Sequence, residues 1–279
     1  MGFYDDVLAQ WPDSTESLRV DTRHGSTHVL AQGARNAPPL VLFHGAGSNA
    51  LAWGADVPGL AKRYRVYAVD TPGEPGRSTH GRISWKGNGI VEWLGDLLDG
   101  LGVSREAPVG ARDSRPILVG ISQGGYIALR YATARPEEVR ALVVLNPGGV
   151  SPPQLGFLLR AMGYGLMGSR GAEALVRCVM GDCEVHPVAI TFSRLIYNNF
   201  RSRIDPQPLL TDDALAALTM PVLVLAGEKD PLFEGAKTTA RFRRSVPSAE
   251  VRLVPGAGHA LVGVAAEVIE FLQSARKTR

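Results

Sequence analysis

Short, continuous apolar runs recur along the chain at 40–43, 64–69, 117–121, 139–145, 222–226 and 251–254. Runs of this length without polar alternation fit strands buried on both faces, as in a parallel sheet. Between most of them lie stretches of helix length, at 50–62, 88–102, 123–135, 235–245 and 260–276. In the second stretch Ile90, Val91, Trp93, Leu94, Leu97, Leu98 and Leu101 recur at helical spacing. Residues 17–32 instead alternate around Gly25, the pattern of a β-hairpin. Strand alternating with helix predicts an α/β fold built on a doubly wound, mostly parallel sheet.

Residues 147–215 break this rhythm. They open Pro-Gly-Gly-Val-Ser-Pro-Pro and continue with helix-like stretches at 155–167, 173–180 and 187–200, with no strand pattern. Two to four helices are expected here, inserted into the α/β core. The division that follows is a core domain of residues 1–146 and 216–279 and a helical cap of residues 147–215. An insertion after a strand's carboxyl end usually covers a site, because open α/β sheets bind ligands at that edge.

Composition narrows the class. Of 279 residues, 45% are hydrophobic and 20% charged, which excludes a disordered chain. The net charge of +3 is small, and the basic residues form no stripe with interleaved aromatics, so nucleic acid is not expected as a partner. Cys178 and Cys183 are too few for a disulfide framework and read as reduced thiols without a catalytic role. The first residues lack the basic and apolar regions of a secretory signal, and no apolar run reaches membrane-spanning length. A cytoplasmic protein without a membrane span is the expectation.

The candidate chemistry centres on Gly120-Ile121-Ser122-Gln123-Gly124, which follows one predicted strand and precedes a predicted helix. This is the context a G-x-S-x-G nucleophile elbow requires: a sharp turn lifts the serine hydroxyl above the sheet, and small flanking residues let strand and helix pass closely. A serine needs a base, which follows it in chain order with the acid between them. Only His186 and His259 follow Ser122. His259, in the loop Gly256-Ala257-Gly258-His259, is favoured over His186 in the insertion. For the acid, Asp230 after the run at 222–226 is favoured, with Glu228 in reserve; Asn146, at the other place such an acid occupies, cannot be an anion. An oxyanion hole needs the N–H of the residue after the nucleophile, Gln123, and a second from the loop after an early strand. Ala46 is the first choice for that second donor and Gly47 the next, while His44 reads as structural.

Together His44-Gly45-Ala46-Gly47, Asp70-x-x-Gly73-x-x-Gly76-x-Ser78, Gly120-x-Ser122-x-Gly124-Gly125, Gly227-x-x-Asp230 and Gly258-His259 resemble the α/β-hydrolase fold superfamily over nearly the whole chain. The resemblance implies an eight-stranded sheet with its second strand antiparallel and a helical cap at 147–215. One departure is visible: the family pattern D-x-x-G-x-G-x-S here gains a residue at Glu74-Pro75.

The expected activity is that of a serine hydrolase acting on a small-to-medium apolar ester, thioester or lactone through an acyl-enzyme, with no metal or organic cofactor. The partner is a small-molecule acyl substrate. Gly47, Trp53, Phe157, Met162 and Tyr197 are the candidate substrate contacts, because an apolar lining suits an apolar acyl group. Arg194, Arg201 and Arg203 suggest the alternative of a C–C bond hydrolase for a dienoic keto acid. Two readings of other classes are a non-catalytic ligand-binding protein on the same fold and an NAD-dependent dehydrogenase. The latter rests on Gly45-Ala46-Gly47-Ser48-Asn49-Ala50, which matches G-x-G-x-x-A, with Asp70 twenty residues on.

Overall fold

The computed structural model describes residues 2–103, 105–106, 114–182, 184–203 and 205–277. A short helix α1 (Gly2–Leu8) leads into the hairpin β1 (Glu16–Thr22) and β2 (Gly25–Gln32), followed by β3 (Pro39–Phe43). Then come α2 (Val57–Leu60), β4 (Arg65–Val69), α3 (Gly89–Gly100), β5 (Ile117–Ile121), α4 (Gln123–Ala134) and β6 (Ala141–Leu145). Among the described residues, α5 (Leu155–Leu166), α6 (Ser169–Met180), α7 (Pro187–Asn199) and α8 (Asp212–Ala216) follow before the next strand. The chain closes with β7 (Val222–Gly227), α9 (Gly235–Ser245), β8 (Glu250–Val254) and α10 (Ala265–Lys277).

The strands form one eight-stranded sheet in the order β1-β2-β4-β3-β5-β6-β7-β8. β2 pairs antiparallel with both β1 and β4, and every pairing from β4 across to β8 is parallel. The continuous apolar runs are thereby explained, since alternate residues of each central strand enter different cores. Val41, Phe43, Leu118, Leu142 and Val224 pack with Trp93, Leu97, Ile127 and Phe242 on one face. Leu40, Leu42, Val119, Val143 and Leu225 pack with Trp53, Leu60, Val268 and Phe271 on the other.

Two predicted helices differ from the sequence reading. The stretch 50–62 splits into a 3₁₀ turn at Ala50–Trp53 and the four-residue α2. Asn49 Oδ1 caps the turn at Leu51 N, and Pro58-Gly59 then limits helix growth. The stretch 260–276 becomes helical only at Ala265, because Gly263 takes a left-handed φ of 73° and the buried Asp56 accepts the N–H groups of Gly263 and Ala265. Asp56 thus caps α10 from a distant part of the chain. Burial pushes its carboxyl above the usual range, while the N–H groups of Gly263, Ala265 and Val264 pull it back down.

Between β6 and β7, α6 packs on both α5 and α7, and α8 packs against α9 and α4. Phe192 of α7 stacks on Phe3 of α1, with ring centroids 6.0 Å apart. α6 ends at Gly181, in a left-handed conformation, between the two cysteines. Cys178 is a half-buried free thiol, and Cys183 lies outside the described residues.

Candidate active site

Ser122 joins β5 to α4 in a conformation that few side-chain-bearing residues adopt, φ 54° and ψ −114°. The turn is tight enough to require its glycines. A Cβ on Gly120 would meet Gly124 O at 2.3 Å, and one on Gly124 would meet Phe43 O at 2.1 Å. The hydroxyl emerges at the carboxyl end of the parallel strands. There Ser122 Oγ lies 2.8 Å from His259 Nε2, and His259 Nδ1 lies 2.8 Å from Asp230 Oδ2. A carboxylate accepts, so Nδ1 carries the proton and Nε2 presents a lone pair to the serine O–H. The other oxygen of Asp230 accepts Leu232 N at 2.7 Å and Phe233 N at 3.0 Å, which fixes the carboxylate. The Asp230 side chain is fully buried, and Phe233 packs edge-on against the imidazole.

The residues left open in sequence now separate. Glu228 accepts Gly256 N at 2.9 Å, at the start of the histidine loop and not at its ring. His186 accepts Val188 N and caps α7. His44 donates Nδ1–H to Gly45 O and accepts Thr71 N at Nε2, so both ring nitrogens serve loop backbone.

The early loop passes beside the serine: a Cβ on Gly45 would sit 3.6 Å from Ser122 Cβ. Gln123 opens α4, so its N–H has no partner within the helix. Gly47 cannot serve as the second donor to an oxyanion, because its N–H is given to Glu74 Oε2 at 2.8 Å. Of the two candidates, Ala46 is the one left for that donor. The buried Glu74 also accepts Gln123 Nε2 on its other oxygen, at 2.9 Å.

The candidate substrate contacts divide. Trp53, in the 3₁₀ turn, is buried and packs in the core with Leu60 of α2 and Val268 and Phe271 of α10. Met162, on α5, is 70% exposed. Tyr197 is exposed and spends its hydroxyl on Gly165 O, bracing α7 against α5. Phe157 is buried. Gly47 faces the insertion between β6 and β7, where a Cβ would meet Ser202 Oγ at 3.8 Å and Ile196 Cγ2 at 4.0 Å.

Of the three arginines that suggested a carboxylate substrate, Arg194 and Arg203 are otherwise engaged, and Arg201 is exposed. Arg194 pairs with Glu173. Arg203 forks onto Asp205, donates to Ile83 O and lies 3.7 Å over the Trp85 ring. Asp70 is equally unavailable to a ribose. Its carboxylate accepts Ala50 N, Arg77 N and His28 Nδ1, each at 2.8 Å, and the Tyr4 hydroxyl at 3.1 Å. With Ser17 Oγ 2.8 Å from His28 Nε2, a second Ser–His–Asp chain exists, and it ties the β1–β2 hairpin to β4.

Three contributors escaped the sequence reading. Glu74 registered only as extra loop length. Asn146 registered only as a place without an acid, yet its amide donates to Gly258 O and His259 O and accepts Gly227 N, binding the histidine loop to the ends of β6 and β7. Val179, near the end of α6, gives its carbonyl to the histidine loop; nothing local in the sequence marks a backbone partner.

A family model described as the alpha/beta hydrolase family matches residues 40–271. The chain belongs to that family. Within the alpha/beta hydrolases, an uncharacterized carboxylesterase, nap, of Bacillus subtilis (strain 168) is 30% identical, with 92% of this chain and 85% of the relative covered. Carboxylesterase YbfK of the same organism is 28% identical over 92% of this chain and 86% of its own length. The crystal structure of B. subtilis carboxylesterase CesB (YbfK) superposes with a TM-score of 0.85 at 26% identity, covering 98% of this chain and 96% of that one. Naproxen esterase (carboxylesterase NP) from B. subtilis gives a TM-score of 0.82 at 25% identity, covering 100% and 96%.

Proposed function

We propose that the protein is a carboxylesterase that cleaves small-to-medium apolar esters through an acyl-enzyme on Ser122. The observation that carries this reading is the unbroken chain Ser122–His259–Asp230, with 2.8 Å at each link, mounted on a strained elbow. The carboxylesterase names of the relatives support the same substrate class.

Ser122 Oγ attacks the ester carbonyl as His259 Nε2 takes its proton. The N–H groups of Gln123 and Ala46 receive the negative charge that develops on the carbonyl oxygen. Asp230 holds the imidazole in the required tautomer and stabilises its protonated form. His259 then protonates the departing alcohol, and water, deprotonated by the same nitrogen, releases the acid and restores Ser122. Residues 147–215 act as a cap over a core of 1–146 and 216–279. The acyl group lies between the Gly45-Ala46-Gly47 loop and α7, where Ile196 and Ser202 approach Gly47 and Phe157 contributes from α5. Among the described residues no helix is long and apolar enough to cross a membrane, and the reading is of a cytoplasmic enzyme with a small-molecule substrate.

Intact-mass measurement after incubation with a fluorophosphonate tests the assignment. One adduct is expected on wild type and none on Ser122→Ala, whose p-nitrophenyl ester hydrolysis falls to background. An adduct on Ser122→Ala would move the nucleophile elsewhere, with Ser17 the first site to map. Full ester turnover by Ser122→Ala would overturn the mechanism.

A further inference from the structure

The extra residue in the loop after β4 brings a buried carboxylate to the back of the proposed oxyanion site. Glu74 Oε2 accepts Gly47 N at 2.8 Å, and Glu74 Oε1 accepts Gln123 Nε2 at 2.9 Å. One side chain therefore bridges the two segments that carry the Ala46 and Gln123 N–H groups. The next residue extends the strut, since Pro75 O accepts Asn49 Nδ2 at 2.9 Å on the same early loop. The strut itself is held short: Glu74 N donates to Thr71 O and Gly76 N to Glu74 O. Glu74 and Gln123 are both buried, at 4% and 2% exposure, so water does not compete for these bonds.

From this we infer that Glu74 is a positioning residue that sets the spacing and direction of the two oxyanion donors. The inference rests on the assignment of Ser122 as nucleophile. Its physical basis is that donors stabilise a transition state only when pre-aimed at the place where charge develops, and small misplacements are costly. By accepting the Gly47 N–H, Glu74 turns that peptide away from the serine and leaves the preceding N–H, that of Ala46, to face it. By holding the Gln123 amide, it fixes the first turn of α4 relative to the loop.

Donor and acceptor counting supplies the test. Glu74→Gln can keep the bridge, its Oε1 accepting Gly47 N and its Nε2 donating to Gln123 Oε1 once that amide turns over, whereas Glu74→Leu removes both acceptors and opens it. For Glu74→Leu the expected result is a fall in kcat of about 10- to 100-fold with KM for a p-nitrophenyl ester changed less than about twofold, and Glu74→Gln should keep most of the wild-type kcat. Gln123→Glu alone sets two carboxylates against each other and is expected to fall similarly. The double variant Glu74→Gln/Gln123→Glu restores one acceptor for Gly47 N and one amide–carboxylate bond, with the roles exchanged. Its kcat is expected to return to within about threefold of wild type. A residue that only stabilised the fold would move melting temperature without this split between kcat and KM or this rescue. Glu74→Leu with kcat within twofold of wild type or above it, or a double variant no better than Gln123→Glu, would overturn the inference. Should Glu74→Leu not fold, Gln123→Leu opens the same bridge from the other side, and unchanged kcat there overturns it equally. Ser122→Ala, assayed alongside, separates the two failures: an active Ser122→Ala sinks the nucleophile assignment, whereas an inactive one beside a fully active Glu74→Leu sinks only the role of Glu74.

Discussion

The carbonyl of Val179, near the end of α6, accepts the backbone N–H of His259 at 2.7 Å and that of Ala260 at 3.0 Å. The proposed general base is thus hung from a helix of the insertion as well as from its own loop. Gly181 and Ala257 form a bridge alongside, and Lys229 pairs with Asp182 across the same seam. Helix C-termini leave carbonyls without partners, and here the histidine loop uses one of them.

This seam leaves no room for a side chain at Gly258. A Cβ there would lie 2.6 Å from both Gly181 N and Val179 O. Gly258→Ala is therefore expected to displace His259 and lower kcat by about 10- to 100-fold, while the protein stays folded. Gly163→Ala is the control: it lies within α5 with nothing within 4 Å of a new Cβ. Ester turnover should be unchanged, with stability raised by about 0.5–1 kcal/mol. Steady-state kinetics and thermal melts on both variants check the pair.

Asp230→Asn keeps an oxygen for the N–H groups of Leu232 and Phe233 but turns an amide toward His259 Nδ1. The imidazole must then place its proton on Nε2, where it blocks acceptance of the serine proton. A fall in kcat of about 10⁴-fold is expected, with the melting temperature nearly unchanged. Retention of more than a tenth of wild-type kcat would show that another group orients His259, and Glu228 would be the next to test.

Much of this site is written in local sequence. Ser122, His259 and Asp230 are legible because strand-to-helix turns impose glycine at fixed offsets and chain order follows strand order. The strands are legible because burial on both faces leaves no polar alternation, as in Leu40 to Phe43. The sequence does not reveal contacts between residues far apart in the chain. Glu74 meets Gln123 across forty-nine positions and Asn146 meets His259 across one hundred and thirteen, and no periodicity encodes either. Trp53 is near the oxyanion loop in sequence, yet its ring packs in the core with Leu60 and Val268, because chain proximity alone does not say which neighbours a 3₁₀ turn gives a side chain.

Asn146 stands where an acid would sit in another version of this site, in a left-handed conformation of φ 43° that asparagine tolerates. Its amide nitrogen is 3.0 Å from Gly258 O and 2.9 Å from His259 O. Asn146→Asp replaces that donor with an oxygen facing two carbonyls. A loss of about 1–3 kcal/mol in urea unfolding is expected, together with a drop in kcat as the histidine loop lifts. Adding Asn146→Asp to Asp230→Asn should not restore turnover, because position 146 reaches the loop backbone and not Nδ1. Recovery of activity in that double variant would show that the acid can move between strands.

Asp70 should set much of the acid limit of the fold. Burial alone would raise its carboxyl, but bonds from His28, Ala50 N and Arg77 N outweigh this and hold it below the ordinary aspartate value of 3.8. The unfolded chain therefore takes up the proton first. The stability that Asp70 contributes is complete above its unfolded pKa, about 3.9, and is lost as pH falls through the lower folded value. Asp70→Asn lacks this titration and also turns an amide toward the Arg77 N–H or the Ala50 N–H, so it should be less stable at pH 7. Urea midpoints measured from about pH 2.5 to 7 on both proteins isolate the effect in their difference. The gap between the curves should be constant above about pH 4 and should narrow below it, because only wild type still has this proton to gain. A gap that stays constant to the lowest pH would mean that Asp70 does not titrate with unfolding, and the hairpin anchor would have to be charged to His28, Ser17 and Tyr4 instead.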